Sequence, residues 1–307
     1  MKFENLIYPT ENELFTMLCR MYKGKSIGVP NSYILVEGEA PILLVAHLDT
    51  VHEKPVTEIC KTKDGNIWMS PQGIGGDDRC GVYALVTAYQ KSKVKPWMLF
   101  TCGEEVGGIG ADAFAADYAK SLHDERLDSI KCIVEVDRKG SNDAVYYDCG
   151  NEEFENYITS KGFETETGSF SDISYIAPEM GVAAVNLSSG YYNAHQKHEY
   201  INIAELKRTI SKVISIVEDS TKDTMPRYEY VDKYMEWRTE YDDYNRDYAY
   251  LDNKKEFKSL EVEEKYDKLL DVYTPEYLDS IIDQHGEAGI LMLYECEMSL
   301  GYMEEEA

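Results

Sequence analysis

The sequence has few basic residues, and this scarcity excludes several classes of function. Its 31 lysine and arginine side chains are outnumbered by 57 acidic ones, which leaves a formal net charge of -26 at pH 7. Nucleic acids and anionic membrane surfaces are bound through basic patches that release counterions or meet acidic headgroups. We therefore expect neither a nucleic acid nor a membrane among the partners of this protein.

The sequence also lacks a long apolar run and closely paired cysteines. Acidic and polar residues interrupt every apolar stretch, including the first residues, so neither a signal peptide nor a membrane-spanning helix is predicted. The seven cysteines are an odd number and stand singly, which is typical of reduced thiols rather than of a disulfide framework or a zinc knuckle. Both observations predict a soluble, cytoplasmic protein.

Residues 1–222 carry the pattern of an α/β protein. Apolar runs of buried-strand length alternate with stretches of helical periodicity, which is typical of three layers, with helices on both sides of a mostly parallel central sheet. We therefore expect one folded domain here. The predicted strands are residues 41–46, 97–102, 130–136 and 182–187, and the predicted helices are residues 79–91, 109–120, 151–161 and 203–219.

Residues 223–307 differ in composition from the rest of the chain. They hold 12 of the 25 tyrosines, carry an excess of acids and contain no strand-like run. Aromatic residues recur at steps of four and three from Tyr230 to Tyr248, and Leu251 continues the same stripe. Thr274 and Pro275 are typical of the start of a second helix, and Gly286 of its end. We predict a helical extension that packs on the core, on another copy or on a protein partner.

A histidine and an aspartate follow the first predicted strand. His47 and Asp49 are two residues apart, so on an extended chain they point to the same side. Asp49 can then hold the imidazole while its other nitrogen binds a metal. Open α/β sheets bind ligands at the carboxyl ends of their strands, which favours a site here. The pair does not establish one, since a lone histidine is more often a core or surface residue.

Two pairs of adjacent acids stand in comparable places. Asp77 and Asp78 follow a glycine-rich turn at the start of a helix, where an aspartate can also be a simple cap. Glu104 and Glu105 follow the second strand, among glycines. Adjacent carboxylates repel each other and are costly to desolvate, so such a pair is expected mainly where cations neutralise it. With a metal present, Glu105 would coordinate and Glu104 would carry protons.

Two further residues complete a set of nitrogen and oxygen donors. Asp137 ends the third run, and His195 follows the fourth. Two histidines and three carboxylates suit zinc, or cobalt or manganese, in a two-ion arrangement with one bridging carboxylate. The segment around His195 also holds Tyr191, Tyr192 and His198. The tyrosines are candidates for substrate contact, although surface tyrosines need no such role, and His198 leaves open which histidine is the ligand.

In this order and spacing, the motifs resemble those of the di-zinc aminopeptidases and carboxypeptidases, a superfamily that includes leucyl aminopeptidases, peptidase T and the tetrahedral aminopeptidases. The resemblance covers about the first 220 residues and implies a zinc-dependent exopeptidase acting on peptides. The matching segments are His47-Leu48-Asp49, Gly76-Asp77-Asp78-Arg79-Cys80-Gly81, Gly103-Glu104-Glu105, Glu135-Val136-Asp137, and His195 with a glutamate four residues later.

The resemblance also implies a role for each residue. Two zinc ions would share Asp77, and Glu104 would act as general base on a water between them, so that a bridging hydroxide attacks the peptide carbonyl. Asp49 and Asp78 would contact the metal ligands without binding a metal ion themselves. One ion would be completed by His47 and Asp137, and the other by Glu105 and His195.

The spacing sets the chain apart from two branches of this superfamily. The segment from His47 to Asp77 is too short for the extra domain of tetrahedral aminopeptidases, and that from Asp137 to His195 is too short for the lid of peptidase T. Lidded carboxypeptidases hold the substrate carboxylate through an arginine or similar group, so a lidless core favours an aminopeptidase. The alternatives are a deacylase of N-acyl amino acids or similar carboxypeptidase-type amidohydrolase, and a non-catalytic metal-binding scaffold.

Overall fold

The computed structural model describes residues 1–120, 125–168, 170–231, 260–270 and 286–300, together with residues 273, 278, 281 and 282. The chain divides into two compact units, Met1–Trp237 and Arg238–Ala307. Most of the predicted tyrosine stripe, and the predicted helix start at Thr274 and Pro275, lie outside the described residues. In the part that is described, no helix combines the length and the apolar character needed to cross a bilayer.

The described strands of the first unit form two sheets. Their bounds in chain order are β1 Ser26–Val29, β2 Tyr33–Val36, β3 Ala40–His47, β4 Cys60–Lys61, β5 Ile67–Met69, β6 Pro96–Thr101, β7 Ile133–Arg138, β8 Asp143–Val145, β9 Glu164–Thr165, β10 Ala184–Ser188, β11 Tyr191–Tyr192 and β12 Tyr200–Asn202. The main sheet has the order β1-β2-β6-β3-β7-β10-β8-β9. Its four central strands, β6, β3, β7 and β10, run parallel, and antiparallel pairs flank them.

Helices cover both faces of the main sheet, and several begin at the caps that the sequence supplies. Thr10 forms a capping box with Glu13, and the side chains of Asn151 and Asn202 accept hydrogen bonds from the first turns of their helices. The helices are α1 Glu4–Ile7, α2 Glu11–Met21, α3 Gly76–Lys91, α4 Ile109–Lys120, α5 Glu125–Asp128, α6 Glu152–Ser160, α7 Ile173–Met180 and α8 Ile203–Ser220, with a short 3-10 helix at Glu104–Val106.

Strand β3 shows how the two layers of helices are held. Its side chains alternate between two hydrophobic cores: Leu44 and Ala46 pack on the side of α3 and α8, and Leu43 and Val45 pack on the side of α4 and α7. Both faces of the strand are buried, which is why its sequence is almost continuously apolar. The predicted three-layer α/β fold with a mostly parallel central sheet is confirmed.

The smaller sheet, β11-β12-β5-β4, is antiparallel throughout. Strands β11 and β12 form a hairpin, and the loop between them contains His195. Ile201 of β12 is fully buried in the larger core, which ties the hairpin to the main body. This sheet therefore brings a loop from late in the chain toward the carboxyl ends of the central strands.

The second unit is helical in its described part. It contains helices Leu260–Leu269 and Glu287–Leu300. The predicted helical extension is thus present in these residues. Its small apolar cluster consists of Val262, Tyr266, Leu269, Leu278 and Ile290.

Candidate metal centre

Three side chains form an inner group at the ends of two neighbouring strands. His47 ends β3, and its Nε2 lies 3.1 Å from Oδ1 of Asp77 and 3.4 Å from Oδ1 of Asp137. Asp137 lies on β7, which pairs in parallel with β3, so the strand ends are side by side. The imidazole of His47 is fully buried, and the two carboxylates are 9% exposed.

An outer group forms on the other side of Asp77. The Nε2 of His195 lies 3.0 Å from Oε2 of Glu105 and 3.3 Å from Oδ2 of Asp77. Unlike His47, His195 is 53% exposed. It also has a φ of 64°, which is uncommon for a residue other than glycine and is typical of functional loops.

The two groups share one carboxylate and have the composition of a metal site. In each group, one ligand atom per residue lies within 4.8 Å of the others, and Asp77 belongs to both. Oε1 of Glu105 is buried and has no hydrogen-bond partner, as expected of an oxygen that faces a cation. Imidazole nitrogens and carboxylate oxygens are the donors that zinc accepts. The donors of the described residues therefore fit divalent cations.

Asp49 connects His47 to the loop that carries the two glutamates. Its Oδ1 lies 3.3 Å from Nδ1 of His47 and accepts hydrogen bonds from the backbone amides of Gly103 (2.9 Å) and Glu104 (3.2 Å), while Oδ2 accepts one from the amide of Glu105 (3.1 Å). Burial raises the pKa of Asp49, but the bonds from His47 and from these amides outweigh it and lower the pKa to about 2. Asp49 is thus ionised, and it orients both the imidazole of His47 and the loop of Glu104 and Glu105.

Asp137 is held by two residues from the next strands. Asn186 of β10 accepts a hydrogen bond from the amide of Asp137 at 2.8 Å, and the hydroxyl of Tyr191 donates to its carbonyl oxygen at 3.2 Å. Tyr191 is 4% exposed and lies beside the cluster. Of the two tyrosines named from the sequence, Tyr191 supports the inner group.

The other candidates do not belong to either donor group and make local contacts instead. The hydroxyl of Tyr192 donates to Glu205 at 2.6 Å, and its ring stacks on Tyr200. His198 is exposed, and its backbone carbonyl accepts a hydrogen bond from Asn193. Asp78 is fully buried, and its Oδ1 accepts a bond from the amide of Gly81, as a helix cap does. The structure thus places His195, and not His198, in the cluster.

Electrostatics make the cluster receptive to cations. Burial lowers the pKa of His47, but Asp137 and the other carboxylates around the ring leave it well above its ordinary value. A hydrogen bond to Asp77 and the charge of Glu105 raise the pKa of His195 to about 9, although burial opposes them. The same negative field that favours protons on these rings favours divalent metal ions, which compete for the same nitrogens.

Glu104 lies next to the cluster and differs from its neighbours in how it titrates. Burial and the neighbouring carboxylates, foremost Glu105, raise its pKa to about 7, while His47 opposes the shift. A carboxyl group with a pKa near neutrality is suited to accept and return a proton at physiological pH. Glu104 also belongs to a third possible donor group, with His47 and Glu105.

A buried polar layer below the inner group was not foreseen from the sequence. Glu135 and Asp172 are both fully buried; the hydroxyl of Ser171 donates to Glu135, and that of Thr101 donates to Asp172. Asn186 donates to Ser171 at 3.1 Å and so joins this layer to Asp137. Asn186 is a polar residue inside an apolar strand, and this pattern in the sequence indicates a buried polar contact.

Glu199, four positions after His195, makes contacts that were not foreseen from the sequence. Its carboxylate is fully buried and accepts hydrogen bonds from the backbone amides of Gly75 and Asp77. The motif includes this glutamate, but the sequence does not predict which residues it contacts.

A model of peptidase family M28 matches residues 32–217, which is more than half of the chain and includes all of the residues in the two groups. The chain belongs to peptidase family M28. It is therefore a peptide hydrolase of a metal-dependent, usually zinc-dependent, family. No curated protein sequence matches the chain.

Solved structures agree with the M28 fold. A tripeptidase from Staphylococcus aureus has a TM-score of 0.55 at 16% identity, over 71% of this chain and 96% of its own. The aminopeptidase PepT from Bacillus cereus has a TM-score of 0.53 at 15% identity, over 72% and 97%. The TET1 peptidase from Pyrococcus horikoshii, described as assembling into a tetrahedron or a large octahedral shell, has a TM-score of 0.50 at 14% identity, over 70% and 99%. At these identities the likeness is one of fold.

Proposed function

We propose that this M28 peptidase is an aminopeptidase that holds two zinc ions and uses Glu104 as its general base. One observation carries the proposal: two groups of nitrogen and oxygen donors share Asp77, and a half-buried carboxyl with a pKa near 7 stands beside them. In the proposed assignment Asp77 serves both ions. The inner ion is completed by His47 and Asp137, and the outer ion by Glu105 and His195. Cobalt or manganese ions suit the same donors.

The chain supplies positioning and proton transfer. When bound, zinc lowers the pKa of water and polarises a carbonyl oxygen. Glu104 accepts a proton from the attacking water and delivers it to the leaving amine, which requires a carboxyl that titrates near neutral pH. Asp49 fixes both His47 and the backbone of Glu104, so the base and the inner ligands keep a constant separation. These residues account for general base catalysis without a covalent intermediate.

The preference for a free amino terminus rests on charge. Two divalent cations would offset the charge of the carboxylates of Asp49, Asp77, Glu105 and Asp137, so the remaining negative charge comes from Glu104 beside the site and from a chain whose net charge is -26. Such surroundings attract a protonated α-amino group and repel a terminal carboxylate. The names of the similar structures, an aminopeptidase and a tripeptidase, agree with short peptides as substrates.

Metal analysis combined with a substrate panel tests the proposal. Purified protein is analysed for zinc, then assayed on aminoacyl-anilides and dipeptides, on the same compounds with an acetylated amino terminus, and on N-acyl amino acids. We expect about two zinc ions per chain, cleavage of the unblocked compounds, loss of activity on chelation and recovery with zinc. Preferential cleavage of acylated compounds would instead assign the alternative deacylase activity. Full activity after complete removal of metal would refute the proposed mechanism.

The C-terminal helices are proposed to contact a second copy of the chain or another protein. Met292, in helix Glu287–Leu300, is 70% exposed, and the extension is rich in tyrosine, which is common at interfaces. Light scattering of the full chain measures its mass in solution. A monomer at all concentrations would leave only a different protein as the partner.

A further inference from the structure

Glu199 holds the turn that carries Asp77. Its Oε1 accepts a hydrogen bond from the amide of Asp77 at 2.9 Å, and its Oε2 accepts one from the amide of Gly75 at 3.0 Å. A fully buried carboxylate is costly unless hydrogen bonds satisfy both oxygens, and here the backbone of the turn does so. The carboxylate of Glu199 therefore fixes the position of this backbone.

The turn also packs closely against the segment that carries Glu199. A Cβ at Gly76 would lie 2.7 Å from Cβ of Tyr191 and 3.1 Å from Oε1 of Glu199. Only glycine therefore fits at this position of the turn. The side chain of Asp77 contacts both His47 and His195, so a shift of the turn moves the one carboxylate that both groups share.

His52 completes this support. Its Nε2 lies 2.8 Å from Oε2 of Glu199, and its side chain is 10% exposed. The ring packs against Gly73, where a Cβ would lie 2.3 Å from two ring atoms, and Gly73 has a φ of 89°. The imidazole of His52 is thus closely packed. Its partner Glu199 lies 147 residues away along the chain.

We propose that His52 and Glu199 form a buried pair that positions Asp77, and that the pair thereby sets the metal affinity of both positions together. This inference rests on the proposed function, because it takes Asp77 as the shared ligand. Neither residue touches the metal or the substrate in this scheme; both are positioning residues. The pair therefore governs kcat and metal retention, whereas KM for the peptide changes little.

The test compares three variants with the wild-type chain. His52→Ala removes the contact, His52→Gln keeps a side-chain amide that can donate to Glu199, and Glu53→Gln is the matched control, since Glu53 is the exposed neighbour of His52. Zinc affinity is measured by competition with a chromophoric chelator, and the cobalt-substituted protein is examined by visible absorption. Values of kcat and KM are obtained at saturating zinc.

For His52→Ala we expect zinc affinity to fall about 10- to 100-fold at both positions, as is typical when a partner outside the ligand sphere is lost. We also expect a lower kcat, a KM within about twofold and an altered cobalt spectrum, with His52→Gln recovering most of the loss. A merely structural role would reduce the folded fraction, leaving the cobalt spectrum of the folded molecules unchanged. Circular dichroism separates the two cases.

Three outcomes would overturn the inference. One is wild-type affinity and kcat in His52→Ala. The second is weakening of a single metal position, which would mean that Asp77 is not what the pair controls. The third is a wild-type protein that needs no metal, which removes the proposed function and the inference with it. In the first two cases the wild-type protein still binds zinc and cleaves peptides, so the proposed function stands.

Discussion

The two histidines of the cluster are held in contrasting ways. His47 ends a central strand, is fully buried and is oriented by Asp49. His195 lies in the hairpin loop of the smaller sheet, is half exposed and has a left-handed backbone conformation. The inner group is thus part of the folded core, whereas the outer group is completed by a loop.

The comparison indicates that the inner and outer groups are held with different rigidity. Ligands on strands inherit their geometry from the packing of the sheet, because strand ends cannot move without disturbing the core. Ligands on loops depend on local contacts, which are weaker and closer to solvent. We therefore expect the inner position to bind metal more tightly and the outer position to exchange it more readily.

The largest effect is expected from Glu104→Gln, which leaves both groups in place. Loss of general base catalysis should reduce kcat by about 10²- to 10⁴-fold. Zinc content, measured by elemental analysis, should remain at the wild-type level. A variant that keeps full activity would show that Glu104 is not the base.

Removal of each histidine separates the two groups directly. His47→Ala should weaken zinc binding beyond the 10- to 100-fold typical of outer partners, and should destabilise the fold by about 1–3 kcal/mol because it leaves a buried gap between carboxylates. His195→Ala should lose one zinc ion when zinc is present, and in the metal-free protein it should change stability by no more than about 0.5 kcal/mol. Metal titration measures the first effect, and thermal unfolding of the metal-free protein measures the second. Equal losses of stability would contradict the contrast between core and loop.

Asp49→Asn tests the link between the groups. Asparagine keeps one acceptor oxygen for the amides of Gly103 and Glu104, but it places an NH2 group against the amide of Glu105 and lacks the charge that holds His47. We expect zinc affinity to fall about 10- to 100-fold. Because Asp49 contacts both His47 and the amide of Glu105, both positions should weaken, and a loss confined to one would limit its role to that group.

Protons should compete with metal at the outer position. The pKa of His195 is raised to about 9, and a ring nitrogen must be unprotonated to bind zinc. Below pH 9 the outer affinity should therefore decrease by about tenfold for each unit by which the pH falls. Titrations between pH 6 and 9 measure the slope, and a flat profile would show that His195 is not a ligand.

The smallest effect is expected from His198→Ala. The sequence left open which of the two histidines is the ligand, and the structure places His198 at the surface. Its loss should change zinc affinity and stability by no more than about 0.5 kcal/mol. A loss as large as that of His195→Ala would exchange the roles of the two residues.

The central layers of the fold could be predicted because they depend on burial. Strands β3, β6 and β10 lie within two residues of the predicted runs, and α4 has the predicted bounds. Continuous apolar runs identify strands that are buried on both faces. Strands β4, β5, β11 and β12 are two or three residues long, and so short a segment has no periodicity to recognise.

The candidate residues could be located because acids and histidines at strand ends meet at one edge of a parallel sheet. Their roles came from the resemblance to a family and are still proposals. The contacts of Glu199, His52 and Asn186 could not be predicted, since they join segments far apart in the chain. Such contacts depend on the tertiary arrangement of strands and loops, which local patterns do not encode.

Strand β3 limits where residues can be inserted into this chain or deleted from it. Its neighbours β6 and β7 pair with it on both edges, its side chains fill both cores, and His47 is its last residue. Insertion of a single residue in this strand would exchange its two faces and turn the imidazole away from Asp77. Insertions and deletions that preserve hydrolysis are therefore expected outside this strand, and the eight residues of Ala40–His47 should keep their number.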